Sequence, residues 1–528
     1  MRPEDYTDNT HIDNAHINAV LGANTAFLDA AGRKRLARVV TFGCKMNEND
    51  SEKIMGLLAL MGFGIEWPQA SGKFGNPAPL GALGFLREDD PAPGAPLADL
   101  VILNTCCVRD NAEKRLYGIL GSLKKYKSDD PARVLAVCGC MAQTEKCVSE
   151  IKNKYPYVDF IFGTKSISAL PMLLAKSYNG ERGRGKDMPV ANGLAPDAAP
   201  EDRLPMYRKA PPSALVSVMS GCDNFCSYCV VPYVRGGEQS RTPESVEGEV
   251  RRLAAEGYRE ITLLGQNVNS YGRGLAGGRC DFAGLLERLG GIGGIWRIRF
   301  MTSHPKDLSD RLIYAIRDIE AVCPQLHLPA QSGSTAVLER MNRGYSREHY
   351  LELVEKIKGA VPGITLTTDI IAGFPGEGEA DFEDTLSLVE KAQFDMAYTF
   401  IFSPREGTKA ADLPGRVAGE TIKSRFDRLL ALQNSISLKK NQAAVGSIER
   451  LLCEGASKTN PGRYAGRTPG GKIVNFRGGK IVNFRAGSGS AIENDGTAGA
   501  ADLTGKIVAV RIDEARTWSL GGEAISID

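Results

Sequence analysis

The 528-residue sequence has no apolar run of membrane-spanning length, so no membrane partner is expected. Its opening, MRPEDYTDNTHIDNAH, is polar and mixed in charge and has no apolar core of a secretory signal. Residues 1–36 read as a disordered tail. Excess charge of either sign is also missing: 65 Lys/Arg face 63 Asp/Glu, a net of +2 that says nothing about nucleic acid. The twelve cysteines do not form the dense framework of a small secreted scaffold. Without a signal, a reducing cytoplasm is the expected home, where clustered cysteines serve metals or catalysis more often than bridges.

Three segments share one pattern. ARVVTFGCKMNENDSEKIMGLLALMG, ADLVILNTCCVRDNAEKRLYGILGSL and ARVLAVCGCMAQTEKCVSEI each run from an apolar strand through cysteine into a helix. Strands alternating with helices predict a Rossmann-like parallel sheet, here over 37–178, with ligands beyond the carboxyl ends of the strands. Aligning TFGC, LNTC and VCGC puts Cys44, Cys106 and Cys140 in equivalent places. Cys107 comes one residue late, and Cys138 is still within its strand. Each of the three precedes a helix N-terminus, whose partial positive charge favours a thiolate. The Gly/Pro-rich 69–96 stretch reads as an inserted loop and 179–207 as a linker.

From 208 to 444 the alternation resumes. Six candidate strands (ALVSVMSG, EITLLGQN, WRIRFMTSHP, QLHLPAQSG, GITLTTDIIAGFPG and MAYTFIFSP) predict a partial (βα)6 barrel, with its chemistry at the strand ends. In TPESVEGEVRRLAAEG, Thr242 caps a helix, Pro243 takes its first turn and Gly257 ends it. From 445 to 528, short β-rich runs divided by Gly and Pro predict a small β-barrel. Residues 450–485 hold eight Lys/Arg against the single acid Glu454, a local net of +7, with Tyr464, Phe476 and Phe484 interleaved. Basic charge with aromatic platforms suits single-stranded RNA; a solvated edge with core aromatics is the alternative. GGKIVNFR occurs twice in tandem, and Gly478–Gly479 could close a hairpin of two identical strands.

GCDNFCSYC sets Cys222, Cys226 and Cys229 in one loop after the first barrel strand. Three thiolates can ligate three irons of a 4Fe–4S cube and leave the fourth open, as catalytic rather than structural metal sites do. A cluster closed by a remote Cys280, Cys323 or Cys453, or a zinc site, is the alternative.

At this point the sequence resembles the radical S-adenosylmethionine (SAM) enzymes, specifically the methylthiotransferases. GCDNFCSYCVVPYVRGGEQSR, TFGCKMNENDSE, NTCCVRDNAEKR, CGCMAQ, RFMTSHP, LHLPAQSGS, RMNRGYSREHYLELVEKI, DIIAGFPGE and FSPREGTKAADLP carry the resemblance, which runs from Arg38 to the C-terminus. It implies two 4Fe–4S clusters, one on Cys222, Cys226 and Cys229 that binds SAM through its open iron, the other on Cys44, Cys106 and Cys140. Tyr228 would sit by the SAM adenine. The resemblance further implies that a radical from SAM abstracts hydrogen from carbon 2 of a modified adenine, to which a methylthio group held at the second cluster transfers. The wording points to the branch that acts on isopentenyladenosine beside the anticodon of tRNA. Threonylcarbamoyladenosine or a ribosomal-protein aspartate are the alternative substrates, and a non-catalytic iron–sulfur RNA-binding protein the alternative of another class. The C-terminal barrel resembles the TRAM domain, an RNA-binding module.

Glu238, Gln266, Asn267 and Gly373 (in GFPGE) are further candidate SAM contacts, each weighed against an ordinary turn or solvated role. His304 and His327 read as packing beside the site. The expected partners are tRNA, SAM and a low-potential electron donor such as flavodoxin or ferredoxin, with the chain a monomer. The tail, the inserted loop and the repeated GGKIVNFR depart from the family pattern.

Overall fold

A computed structural model describes residues 14–66, 98–107, 110–193, 204–275, 280–458, 460, 462–478, 482–483 and 502–527. The inserted loop and Phe484 lie outside them. The chain divides into two units. One is Met1–Lys209 with Ser220–Cys222 and Val230–Glu238; the other is Ala210–Met219, Asp223–Cys229 and Gln239–Asp528. Among the described residues no helix is long and apolar enough to cross a membrane.

In the first unit, β1 (Leu36–Phe42), β2 (Gly64–Glu66), β3 (Leu100–Thr105), β4 (Val134–Gly139), β5 (Phe160–Phe162) and β6 (Val190–Ala191) form one parallel sheet, ordered β2-β1-β3-β4-β5-β6. Every residue of β3 and β4 is buried, as in strands covered on both faces. Val39, Ile102 and Ala136 face the helices Lys45–Leu60 and Leu170–Tyr178; Val40, Leu103 and Val137 face Asp110–Asp129 and Glu145–Lys154.

Two expectations fail here. The supposed tail contains a helix, Asn14–Ala31. Ile17 and Val20, one turn apart, enter the core, and Asn24 Nδ2 donates to Met61 O at 2.7 Å. The supposed linker supplies β6 and, at its far end, Leu204 to the core. Tyr207 N donates to Glu52 O at 2.9 Å. The helix does carry apolar residues at helical spacing (Ile17, Val20, Leu21, Leu28) behind a polar N-terminal flank, whereas β6 is two residues long and shows no period.

In the second unit the six expected strands are β7 (Ser213–Ser217), β8 (Glu260–Leu264), β9 (Arg297–Phe300), β10 (Gln325–His327), β11 (Thr365–Ala372) and β12 (Met396–Ile401). They form two parallel three-stranded sheets, β9-β8-β7 and β10-β11-β12, linked by a parallel bridge from Ile298 to Val322. This is a partial barrel. Its strands pack through Val216, Ile261, Ile298, Leu326 and Ile370 against surrounding helices. Thr242 Oγ1 accepts from Ser245 N at 3.3 Å, with Pro243 in the first turn, as the sequence predicts.

The small barrel follows: β13 (Ile448–Ala456), β14 (Tyr464–Arg467), β15 (Ile473–Arg477), β16 (Val482–Asn483), β17 (Ile507–Ala515) and β18 (Leu520–Ile527). Antiparallel pairing runs β15-β14-β13-β17-β18, and parallel pairing of β15 with β18 closes it. The first GGKIVNFR copy supplies β15. Its Gly470 lies where a Cβ would come within 2.2 Å of Thr365 Oγ1, and Gly471, at φ +83°, would meet Gln325 Oε1 at the same distance. The described residues of the second copy supply β16, which pairs with the end of β18. The hairpin of identical strands is not formed, because both edges of β15 are already taken by β14 and β18.

Candidate functional site

In the first unit, the register pairs Phe42 with Thr105 and Thr105 with Gly139, so β1, β3 and β4 end level. Two glycines let the next residues converge. A Cβ on Gly43 would lie 2.6 Å from Cys106 Cβ, and one on Gly139, at φ +98°, would lie 2.3 Å from Thr105 O. Cys106 therefore sits against a backbone that only glycine allows so close, and the residue before it is approached as closely by Gly139. Beneath it, Asn104 Nδ2 donates to Asn47 O (2.9 Å) and Ser51 Oγ (2.8 Å), and Asn47 Nδ2 donates to Asn104 Oδ1 (3.1 Å). Cys44 Sγ is 3.2 Å from Asn47 Oδ1.

The structure brings Cys44, Cys106 and Cys140 together, and Cys107 with them. A hydrogen bond from Cys106, aided by the charge of Arg235, outweighs burial and lowers the Cys44 thiol to about 6. Cys140 is likewise lowered, first by a hydrogen bond from Cys107, and Cys107 itself is pushed up by that bond and by burial. Cys107, one residue late in the repeat register, nonetheless touches the group of sulfurs through Cys140. Cys138 faces the opposite, apolar side of β4, and Cys147 sits on the helix Glu145–Lys154.

Arg235 escaped the sequence reading. It is buried, pairs with Asp50 at 2.7 Å, and its charge acts on both Cys44 and Cys140. Only the burial of polar residues in MNENDSE, an otherwise ordinary helix, could have hinted at a charged partner.

In the second unit, residues 223–229 of the cysteine loop are pinned by the segment after the helix Thr335–Arg340. Ser227 N donates to Met341 O (3.0 Å), Ser227 Oγ to Arg340 O (2.8 Å), and Asn342 Nδ2 to Phe225 O (3.0 Å). Cys229 N closes a turn onto Cys226 O at 2.9 Å. The Arg343 guanidinium lies 3.3 Å from Cys226 Sγ and 3.5 Å from Tyr228 Oη. RMNRGY was therefore more than family wording; it is the bracket of the loop. Cys222 belongs to the first unit, where its N–H donates to Gly236 O at 3.2 Å.

Strand ends of the second unit carry buried polar atoms with no hydrogen-bond partner: Gln266 Oε1, Asn267 Oδ1, Ser303 Oγ and His304 Nε2. Unpartnered buried groups are costly, so a ligand with hydroxyl, amino and carboxylate groups fits this ring of donors and acceptors. Asn267 Nδ2 is already held by Asp307 at 2.8 Å. His304 Nδ1 accepts from Lys306 N at 3.3 Å, so in the neutral ring the proton is on Nε2. Gly373 turns at φ +77°; its N–H donates to Glu377 (3.1 Å), whose carboxylate also takes Arg425 (3.0 Å). Glu377 thus shapes the turn. Glu238 is half-buried in the first unit. Among the described residues no three His, Cys, Asp or Glu side chains converge at single-ion distances.

The aromatic platform reading needs correction. Phe476 is fully buried in the small-barrel core, and half-buried Tyr464 stacks on it at 5.8 Å. Alternation along β15 points Phe476 inward. The basic excess is partly neutralised by acids on other elements: Arg477 with Asp513, Lys472 with Asp395, and Arg467 with Glu454. Trp518, which the sequence reading passed over, is 49% exposed between β17 and β18.

The radical SAM superfamily model matches residues 216–389, the model of uncharacterized protein family UPF0004 matches 87–163, and the TRAM domain model matches 442–525. The chain is 47% identical over 494 residues to a tRNA-2-methylthio-N(6)-dimethylallyladenosine synthase of Acetivibrio thermocellus, covering 94% of this chain and 92% of that one. It is 44% identical over 492 residues to the synthase of the same name from Moorella thermoacetica, covering 93% and 99%. Among solved structures, the radical S-adenosylmethionine methyltransferase TsrM of Kitasatospora setae aligns over 80% of this chain and 79% of its own, with TM-score 0.48 and 13% identity.

Proposed function

Because the chain belongs to the tRNA-2-methylthio-N(6)-dimethylallyladenosine synthase family of radical SAM methylthiotransferases, we propose that it methylthiolates carbon 2 of isopentenyladenosine in tRNA. The observation that carries the chemistry is the pairing of two cysteine sets: Cys44, Cys106 and Cys140 at level strand ends, and Cys222, Cys226 and Cys229 in one loop. When bound, two 4Fe–4S clusters and SAM supply the one-electron chemistry that an unactivated aromatic C–H bond requires.

In this reading Cys222, Cys226 and Cys229 hold the SAM-binding cluster, and Tyr228, Gln266, Asn267 and the Gly373 turn border SAM, with Glu238 a further contact. Cys44, Cys106 and Cys140 hold the second cluster. The half-exposed face of β11 and β12 receives the modified base. There Asp369 is level with Tyr398 and Ile371 with Phe400, while the alternate residues Ile370 and Ala397 pack in the core. His327, 3.0 Å from Thr367 Oγ1 and 3.5 Å from Asp369, adds hydrogen-bonding groups to that face. Phe400 and Ile371 suit an isopentenyl group, a less apt match for the charged threonylcarbamoyl group. The TRAM domain supports tRNA as the carrier of the base. A low-potential donor such as flavodoxin or ferredoxin supplies electrons to a cytoplasmic monomer.

Expression in a host stripped of its own methylthiotransferases tests this reading. Mass spectrometry of digested tRNA should show the methylthio group on isopentenyladenosine. Its appearance on threonylcarbamoyladenosine instead, or on no nucleoside, would overturn the assignment.

A further inference from the structure

Arg343 is only 5% exposed. Burying a guanidinium is expensive unless an anion accompanies it. The other buried arginines mostly have one: Arg235 pairs with Asp50, Arg241 with Glu249, Arg299 with Glu260 and Arg425 with Glu377. Arg297 lacks a direct carboxylate, but Glu260 acts on it electrostatically.

Arg343 differs from all of these. Its Nε donates to Tyr345 Oη at 3.0 Å and its Nη2 to Pro329 O at 3.0 Å. Tyr345 Oη in turn donates to Ala330 O at 2.9 Å, which locks the phenol against the strand end. Nη1 reaches Tyr228 Oη and Cys226 Sγ. Tyr228 and Tyr345 are both phenols, which carry no charge at neutral pH. Among the described residues no Asp or Glu side chain pairs with Arg343; its polar neighbours are Tyr345, Tyr228, Pro329 O and Cys226. One group in that set is anionic at neutral pH if it ligates metal: the Cys226 thiolate.

We propose that Arg343 is the built-in counter-cation of the Cys226 thiolate, and that it raises the electron affinity of the iron–sulfur cluster this thiolate holds. The inference rests on the reading that Cys222, Cys226 and Cys229 bind a cluster. Its logic is electrostatic. Reduction adds one negative charge to the cluster, and a fixed cation in a low-dielectric site stabilises the more negative state. A hydrogen bond to the cysteine sulfur acts in the same direction. Tyr345 and Pro329 are the positioning groups, since they leave one edge of the fork to face Cys226.

The test is a potentiometric titration of the anaerobically reconstituted full-length protein. It follows by electron paramagnetic resonance the signal component that changes on adding SAM, with iron counted for each variant. Arg343→Leu should keep its iron and show a midpoint shifted to more negative potential. Arg343→Lys, which keeps the charge but loses the fork, should fall between the two. An unshifted midpoint in Arg343→Leu with full iron overturns the inference and leaves the cluster assignment intact. If Arg343→Leu loses the cluster, recovery of both iron and midpoint in Arg343→Lys supports the role of charge; loss of iron in both variants, at unchanged melting temperature, overturns it. No SAM-responsive signal in the unmodified protein overturns the cluster reading and the inference with it.

Discussion

Arg235 and Asp50 form a buried ion pair at 2.7 Å, with the Arg235 charge reaching the thiols of Cys44 and Cys140. Removing one member leaves the other charged and buried, a loss of about 3–5 kcal/mol. Asp50→Leu and Arg235→Leu should each lower the unfolding midpoint strongly. The double variant Asp50→Leu with Arg235→Leu should recover part of that loss, because no lone charge remains. A double variant as unstable as the sum of the two singles would show that the pair is not the source of the effect. Arg235→Leu should in addition impair iron retention, which the double variant should not restore.

Cys106 and Cys107 offer a sharper test of which thiol is a ligand. Both are buried, and the structure gives each a cysteine neighbour, Cys44 for one and Cys140 for the other. The repeat register favours Cys106, whose Cβ lies against Gly43. Cys106→Ala should lose one cluster's worth of iron, while Cys107→Ala should retain it. Equal losses would mean that the register argument fails.

The parallel sheet, the six barrel strands and the small barrel were legible because their signals are local: apolar runs, cysteines at turns, Pro after a capping Thr. The two cysteine sets could be proposed from the sequence because a repeat and a tight spacing need no third dimension. Arg235, Arg343 and Trp518 were not legible, for two reasons. An arginine reads as solvated until a fold buries it, and both of these become informative only through a contact far along the chain: Asp50 for one, Cys226 for the other. Trp518 became visible only as the exposed side chain among aromatics that alternation would otherwise assign to a core. Phe476 failed in the opposite sense, since a basic neighbourhood does not reveal which way a strand residue points.

His304 links pH to stability. Burial, then the nearby charges of Arg343 and Lys306, lower its pKa from 6.5 to about 2. The folded chain thus keeps a neutral ring where the unfolded chain binds a proton below pH 6.5. The unfolded state binds more protons throughout that window, so stability is full above pH 6.5 and falls as the solution is acidified. At pH 5 the loss amounts to about 2 kcal/mol. His304→Gln in metal-free protein should flatten the decline in urea midpoint between pH 7 and 5. An unchanged slope would exclude His304 as its source.

Trp518 and Phe476 separate RNA contact from core packing. Phe476→Ala opens a cavity in a small core and should cost about 3–5 kcal/mol. Trp518→Ala removes an exposed ring and should leave the melting temperature within a degree or two. If the ring stacks on a base, tRNA affinity should fall by about 1–3 kcal/mol at fixed salt, measured by filter binding. Unchanged affinity would remove Trp518 from the RNA surface.

The tandem GGKIVNFR makes an unusual deletion possible, because removing either copy yields the same chain. The remaining copy keeps Gly470 and Gly471 against Thr365 and Gln325, and keeps Val474 and Phe476 in the core. What is lost is the two-residue pairing of β16 with Ser526 and Ile527. Deletion of eight residues should therefore leave the melting temperature nearly unchanged and preserve tRNA binding. A collapse of the small barrel, seen as lost protection of Val508 to Ile512 in hydrogen exchange, would instead show that β16 is needed to cover the end of β18.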